Sequence, residues 1–123
     1  RTIVHDRWVR HDLTLKQDGF MPDSTLDLSV VRHVGLCEDE IWKYCEMAVG
    51  GPPRKFLGRG DVRTSAIPKP LRAVPKPDLD NPNHAGIVDW PPYKESRKGL
   101  ALELSAAAGK MIPAPVTDRQ ASS

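Results

Sequence analysis

The stretch Asn81-Pro82-Asn83-His84-Ala85-Gly86-Ile87-Val88-Asp89-Trp90 passes from a polar, proline-bearing loop into a short apolar run. Such a run bounded by turn residues reads as a buried strand. Directly after it, Pro91-Pro92 introduces a segment in which Leu100, Ala101, Leu104, Ala107 and Ala108 form one apolar face and Lys94, Glu95, Arg97 and Lys98 the wet one. Proline suits a helix start, the spacing is helical, and Gly109 is a natural C-terminal cap. A loop, a strand and a helix in succession set the pattern for the whole chain.

Working towards the N-terminus, Leu71 to Val74 reads as a brief strand. Pro75 to Asn83 reads as a stiff polar loop, long enough to form a rim. Lys55 to Val62 is expected to be a strand, its glycines at 58 and 60 marking close backbone approach or a bend. A short helical turn is expected over Asp61 to Ala66. Glu38, Asp39 and Glu40 precede Ile41, Trp42, Cys45, Ala48 and Val49 at helical spacing, and acidic residues in a first turn suit the helix dipole. Gly50-Gly51-Pro52-Pro53 ends that helix. Leu26, Leu28 and Val30 alternate with Asp27, Ser29 and Val31 as in a half-buried strand. Thr2 to Leu15 has neither a two-residue nor a 3.6-residue period and reads as a strand or short helix.

These elements predict a single α+β domain over residues 1–112, in which a small mixed or antiparallel sheet is packed on one face by two main helices. Residues 113–123 are expected to be a flexible C-terminal tail. The 123 residues and 39% hydrophobic content suit one modest core, and 12 prolines with 9 glycines break it into short elements. No run is long and apolar enough to span a bilayer, and no signal-peptide centre is present, so a soluble cytoplasmic protein is expected. The start at Arg1 suggests a processed product or a fragment.

The formal net charge of +2, from 18 basic and 16 acidic residues mixed along the chain, is weaker than the footprint of a dedicated nucleic-acid binder. Cys37 and Cys45 lie eight residues apart on a helix, roughly 12 Å at about 1.5 Å per residue. A disulfide needs Cα atoms within about 7 Å, so both are expected as reduced thiols. His5, His11, His33 and His84 never fall at i, i+3 or i+4 spacing. Neither a metal nor a cofactor is therefore expected. Nucleophile-elbow, P-loop, dinucleotide and His-Glu-x-x-His motifs are also missing.

Taken in order, the patches Asp27-Leu28-Ser29-Val30-Val31-Arg32, Gly35-Leu36-Cys37-Glu38-Asp39-Glu40-Ile41-Trp42, Gly58-Arg59-Gly60-Asp61 and Asn83 to Pro91 carry a likeness. The chain resembles a group of small uncharacterised bacterial proteins across most of positions 26–108. The resemblance implies a shared fold and no particular chemistry. At Cys37 the group tends to have serine, so this chain is expected to start its first helix with a weaker cap.

His84 stands at a strand mouth, where an imidazole can be tuned or can meet a ligand. The competing reading makes it a brace of the Asn-Pro-Asn loop. Ser29 and Arg32 on one strand, with Arg7, Arg10 and His11 nearby, would form an anion-binding patch if the two segments pair. Otherwise they are solvated ion pairs. Arg59-Gly60-Asp61 spells an adhesion tripeptide but reads as coincidence, with Asp61 capping the following turn.

The function expected is a non-catalytic accessory or interaction protein of a bacterial multi-gene system, meeting a protein partner through Asn83, His84 and the basic group Arg7, Arg10 and Arg32. The alternative is a small nucleotide- or nucleic-acid-acting enzyme or toxin-like domain, with His84, Ser29 and His11 as its catalytic candidates. A remote ADP-ribosyltransferase-like layout falls within that alternative. A plain nucleic-acid binder would show affinity falling steeply with salt.

Overall fold

The computed structural model describes residues 1–50 and 54–115. Its elements in chain order are β1 (Thr2–Ile3), β2 (Leu28–Val31), α1 (Glu38–Met47), β3 (Gly58–Arg59), β4 (Arg72–Pro75), β5 (His84–Val88), α2 (Lys94–Ala108) and β6 (Ile112–Pro113), with short 3-10 turns at Asp6–Trp8, Gln17–Phe20 and Thr64–Ala66. The α+β class is as expected. The strands, however, divide between two three-stranded antiparallel sheets, in the orders β1-β3-β6 and β2-β5-β4.

The larger sheet has β5 at its centre, where Ala85, Gly86 and Ile87 are all buried. Leu28 lies opposite Ile87 and Ile87 opposite Ala73, while Val30 lies opposite Ala85 and Ala85 opposite Pro75. Side chains alternate across a strand, so these six residues share one face. The other face carries Ser29, Val31, Val74, His84 and Gly86. Gly86 leaves room there for the Asp27 carboxylate folded over it, which a Cβ would meet.

The smaller sheet is built from residue pairs. Gly58 lets β3 pass close to β6, since a Cβ there would meet the Ile112 carbonyl oxygen at 2.3 Å. Pro113, in the segment expected to be a tail, pairs with Gly58, and the Ala114 N–H donates to the Leu57 carbonyl. Residues 116–123 of the expected tail lie outside the described residues.

One core joins the two sheets and α2, through Ile3, Leu15, Phe20, Leu28, Ile87, Trp90, Ala101 and Leu104. The two helices take different places around that core. α2 packs chiefly on the 3-10 turn Gln17–Phe20, whereas α1 touches β2. Phe20 is almost completely buried at that junction. α1 buries Ile41 and Cys45, one turn apart. At its start the Glu40 carboxylate accepts the Cys37 backbone N–H at 3.1 Å, the half of a capping box that needs no serine.

Candidate functional site

The loop between β4 and β5 is braced by nearly every polar side chain it contains. At its base the Lys76 N–H donates to the His84 carbonyl at 2.9 Å, and His84 Nδ1 lies 2.9 Å from the Lys76 carbonyl oxygen. A carbonyl only accepts, so Nδ1 carries a proton, and in the neutral ring Nε2 is the free acceptor. At the tip, Asp78 Oδ1 accepts the N–H groups of Asp80 at 3.0 Å and Asn81 at 2.7 Å, a carboxylate standing in for a backbone turn. Asn81 is buried, and its Oδ1 accepts the Asn83 N–H at 3.0 Å. The Asn83 amide then donates across to the segment that follows β2, to the carbonyls of Arg32 at 2.8 Å and Val34 at 3.0 Å.

Leu79 is the exception. It sits between Asp78 and Asp80 at the tip and is 103% exposed, a large apolar side chain with no cover on a turn that cannot easily collapse around it.

Beside the loop runs an open groove of about 620 Å³, with Ser29, Asp27, Tyr44, Asp78 and His84 among its lining residues. Ser29 and His84 share a sheet face but are diagonal neighbours, since Ser29 pairs with Gly86 and His84 with Val31. Diagonal positions stand about 7 Å apart, well beyond the reach of a base that must take a hydroxyl proton. Asp27 is ion-paired with Lys76, while its Oδ1 is buried without a hydrogen-bond partner. The Arg1 guanidinium closes one end, bonded from Nε to the Gly19 carbonyl at 2.8 Å and from Nη1 to the Ser29 carbonyl at 3.3 Å. Burial, helped by Arg54, lowers its pKa to about 10, so it stays charged at neutral pH.

Arg32 lines a second cavity of about 820 Å³, walled by Phe20, Val30, Ile67, Ala73 and Ile87. Ser29 and Arg32 are thus on opposite faces of the sheet, Arg32 continuing the Leu28 and Val30 side. Arg7, Arg10 and His11 are exposed on the N-terminal turn and line neither cavity. Arg10 instead ties that turn together through the Leu15 carbonyl at 3.1 Å. The anion patch expected from all five residues is therefore not assembled, whereas Arg32, Asn83 and His84 do meet through backbone bonding.

Arg59 is a hub that the tripeptide reading hides. Its side chain is 5% exposed and forms a two-pronged pair with Glu38 at 2.9 and 3.0 Å. It also contacts Asp61 at 3.1 Å and lies 4.4 Å from the centre of the Trp42 ring. Asp61 is consumed by that pair and does not cap the Thr64–Ala66 turn, which has no side-chain cap. Hydrogen bonding from Arg59 holds the Glu38 carboxyl below its usual range. An Arg so enclosed is not offered to a receptor.

Leu79 and the Arg59 hub are the features that sequence reasoning missed. The spacing Asp78-x-x-Asn81 was a signal for the braced tip; nothing local signals that Arg59 meets Glu38, 21 residues away. Among the described residues no three His, Cys, Asp or Glu side chains gather as a metal site, and no helix is long and apolar enough to cross a membrane. No family model, no curated protein and no solved structure matches the chain.

Proposed function

We propose that the chain is a non-catalytic interaction protein, an accessory component of a bacterial multi-gene system, which docks a protein partner through the loop 76–83 with Leu79 as its anchor. The observation that supports this reading is the full exposure of Leu79 on a tip braced by Asp78, Asn81, Asn83 and His84. A rigid tip loses little conformational freedom on binding, and burying a leucine contributes about 1.5–3 kcal/mol, enough for an interface anchor. Asp78 and Asp80 beside it favour a partner whose apolar socket is edged by lysine or arginine. The exposed Arg7, Arg10 and His11 form a second contact surface within the same proposal. A cytoplasmic setting goes with it, in which the free thiols of Cys37 and Cys45 stay reduced.

The test is capture from a lysate of the source cell with wild type and Leu79→Ser, followed by mass analysis. A partner held by wild type and lost by the variant, at equal melting temperature, is the expected result. Equal retention by both proteins, or loss on His84→Ala of a nucleotide-directed activity with no change in stability, would overturn the reading in favour of the enzyme alternative.

A further inference from the structure

The second cavity has a composition that the docking loop does not use. Its walls mix apolar side chains, Val30, Ala73, Ile87, Phe20 and Ile67, with charged ones, among which Arg32 stands beside the Val30 and Ala73 face. Arg32 is partly buried, its Nε has no hydrogen-bond partner, and none of the ion pairs among the described residues includes it. A desolvated donor without an acceptor is costly, and a guanidinium gains most from a planar anion that meets it with two oxygens. The other charges along this cavity are already engaged or peripheral. Arg1 is bonded to two carbonyls, Asp61 is held by Arg59 with His33 3.8 Å away, and Arg63 is exposed at the rim.

We propose that this cavity binds a small organic acid, a single carboxylate carried on an apolar body, with the carboxylate on Arg32 and the body against Val30, Ala73 and Ile87. The volume of about 820 Å³ is within the range of small-molecule sites. A monoanion fits better than a phosphate dianion, because the Asp61 carboxylate lies on the same wall as Arg32. The site is on the opposite face of the β2-β5-β4 sheet from Ser29 and His84, so it stands or falls independently of the loop.

Amide chemical-shift titrations with 2-naphthoate, 2-naphthamide and inorganic phosphate test it. The expected result is saturable binding of 2-naphthoate with the largest shifts at Val30, Ala73 and Ile87, and 2-naphthamide about 10-fold weaker or more. Arg32→Gln should bring naphthoate down to the level of the amide. The proposal is overturned if naphthoate and naphthamide bind alike, if neither binds, if phosphate binds as tightly as naphthoate, or if Arg32→Gln leaves naphthoate binding unchanged. Should Arg32→Gln fail to fold, the naphthoate-to-naphthamide ratio on wild type decides alone.

Discussion

His84 and the main chain of Lys76 are joined twice, once by the Lys76 N–H donating to the His84 carbonyl and once by the imidazole, whose Nδ1 donates to the Lys76 carbonyl, each at 2.9 Å. The side-chain bond adds a second closure to a loop that the backbone ladder already closes. His84→Ala should therefore cost about 0.5–1.5 kcal/mol, a typical net hydrogen-bond contribution. His84→Asn, which keeps a donor near Nδ1, should recover part of it. Urea unfolding of the three proteins checks this; an unchanged midpoint in His84→Ala would mean that the ring braces nothing.

Gly86→Ala places a methyl against the Asp27 carboxylate and should destabilise by about 1–3 kcal/mol. Because the obstacle is one side chain, Asp27→Gly in the same molecule should cancel most of that loss. A double-mutant cycle measures the coupling, and simple additivity would contradict the contact.

Arg59→Ala removes a buried stem from the Trp42 face and leaves Asp61 and Glu38 without their counter-charge. A loss of about 2–4 kcal/mol is expected. Arg59→Met should restore much of it by refilling the space, since both carboxylates can reach water. Thermal unfolding of the pair tests whether packing or charge dominates at the hub.

Burial holds the His33 imidazole below its ordinary 6.5, with Arg59 and the N-terminal ammonium adding to the depression, against the upward pull of Asp61 and Glu38. As pH falls, the unfolded chain therefore takes up this proton before the folded one. Stability from His33 is full above 6.5, declines as pH drops from there through the folded value, and is level below it. His33→Asn should flatten the melting temperature against pH just below 6.5. An identical slope in both proteins would exclude His33 as its source.

Leu13 has a φ of 71°, a conformation that costs a residue with a Cβ about 1–2 kcal/mol. It is 37% exposed, so little packing is lost on truncation. Leu13→Gly should raise stability by a few tenths to about 1 kcal/mol. A fall in the denaturation midpoint would show that the leucine side chain contributes more than its backbone costs.

Both helices and the strands of the β2-β5-β4 sheet were legible because each is long enough to carry a period: Leu28 and Val30 alternate, and Ile41 and Cys45 lie one turn apart. Of the second sheet, only β3 was legible, within the strand expected over Lys55 to Val62 and with Gly58 marking a close approach; the pairing was not. Thr2–Ile3, Gly58–Arg59 and Ile112–Pro113 are two residues each, too short for alternation to register, and their pairing is set by chain ends and by Gly58 meeting Ile112. His84 stood out correctly as the polar residue at the strand mouth, and both of its readings were open from sequence. The bond from its ring to Lys76, eight residues back, is what makes it a brace. Leu79 was masked by its neighbours, since an apolar residue between two aspartates looks like an ordinary loop.

β4 forms an outer edge of its sheet, and an edge is where foreign strands attach. Lys76 donates inward to β5, and the alternation of an antiparallel ladder then turns Ala73 and Pro75 outward. Pro75 has no hydrogen on its nitrogen, so an approaching strand finds a donor at Ala73 and none two residues on. That border is thus poorly suited to zippering with a strand from a neighbouring molecule, even though an oily tip projects nearby.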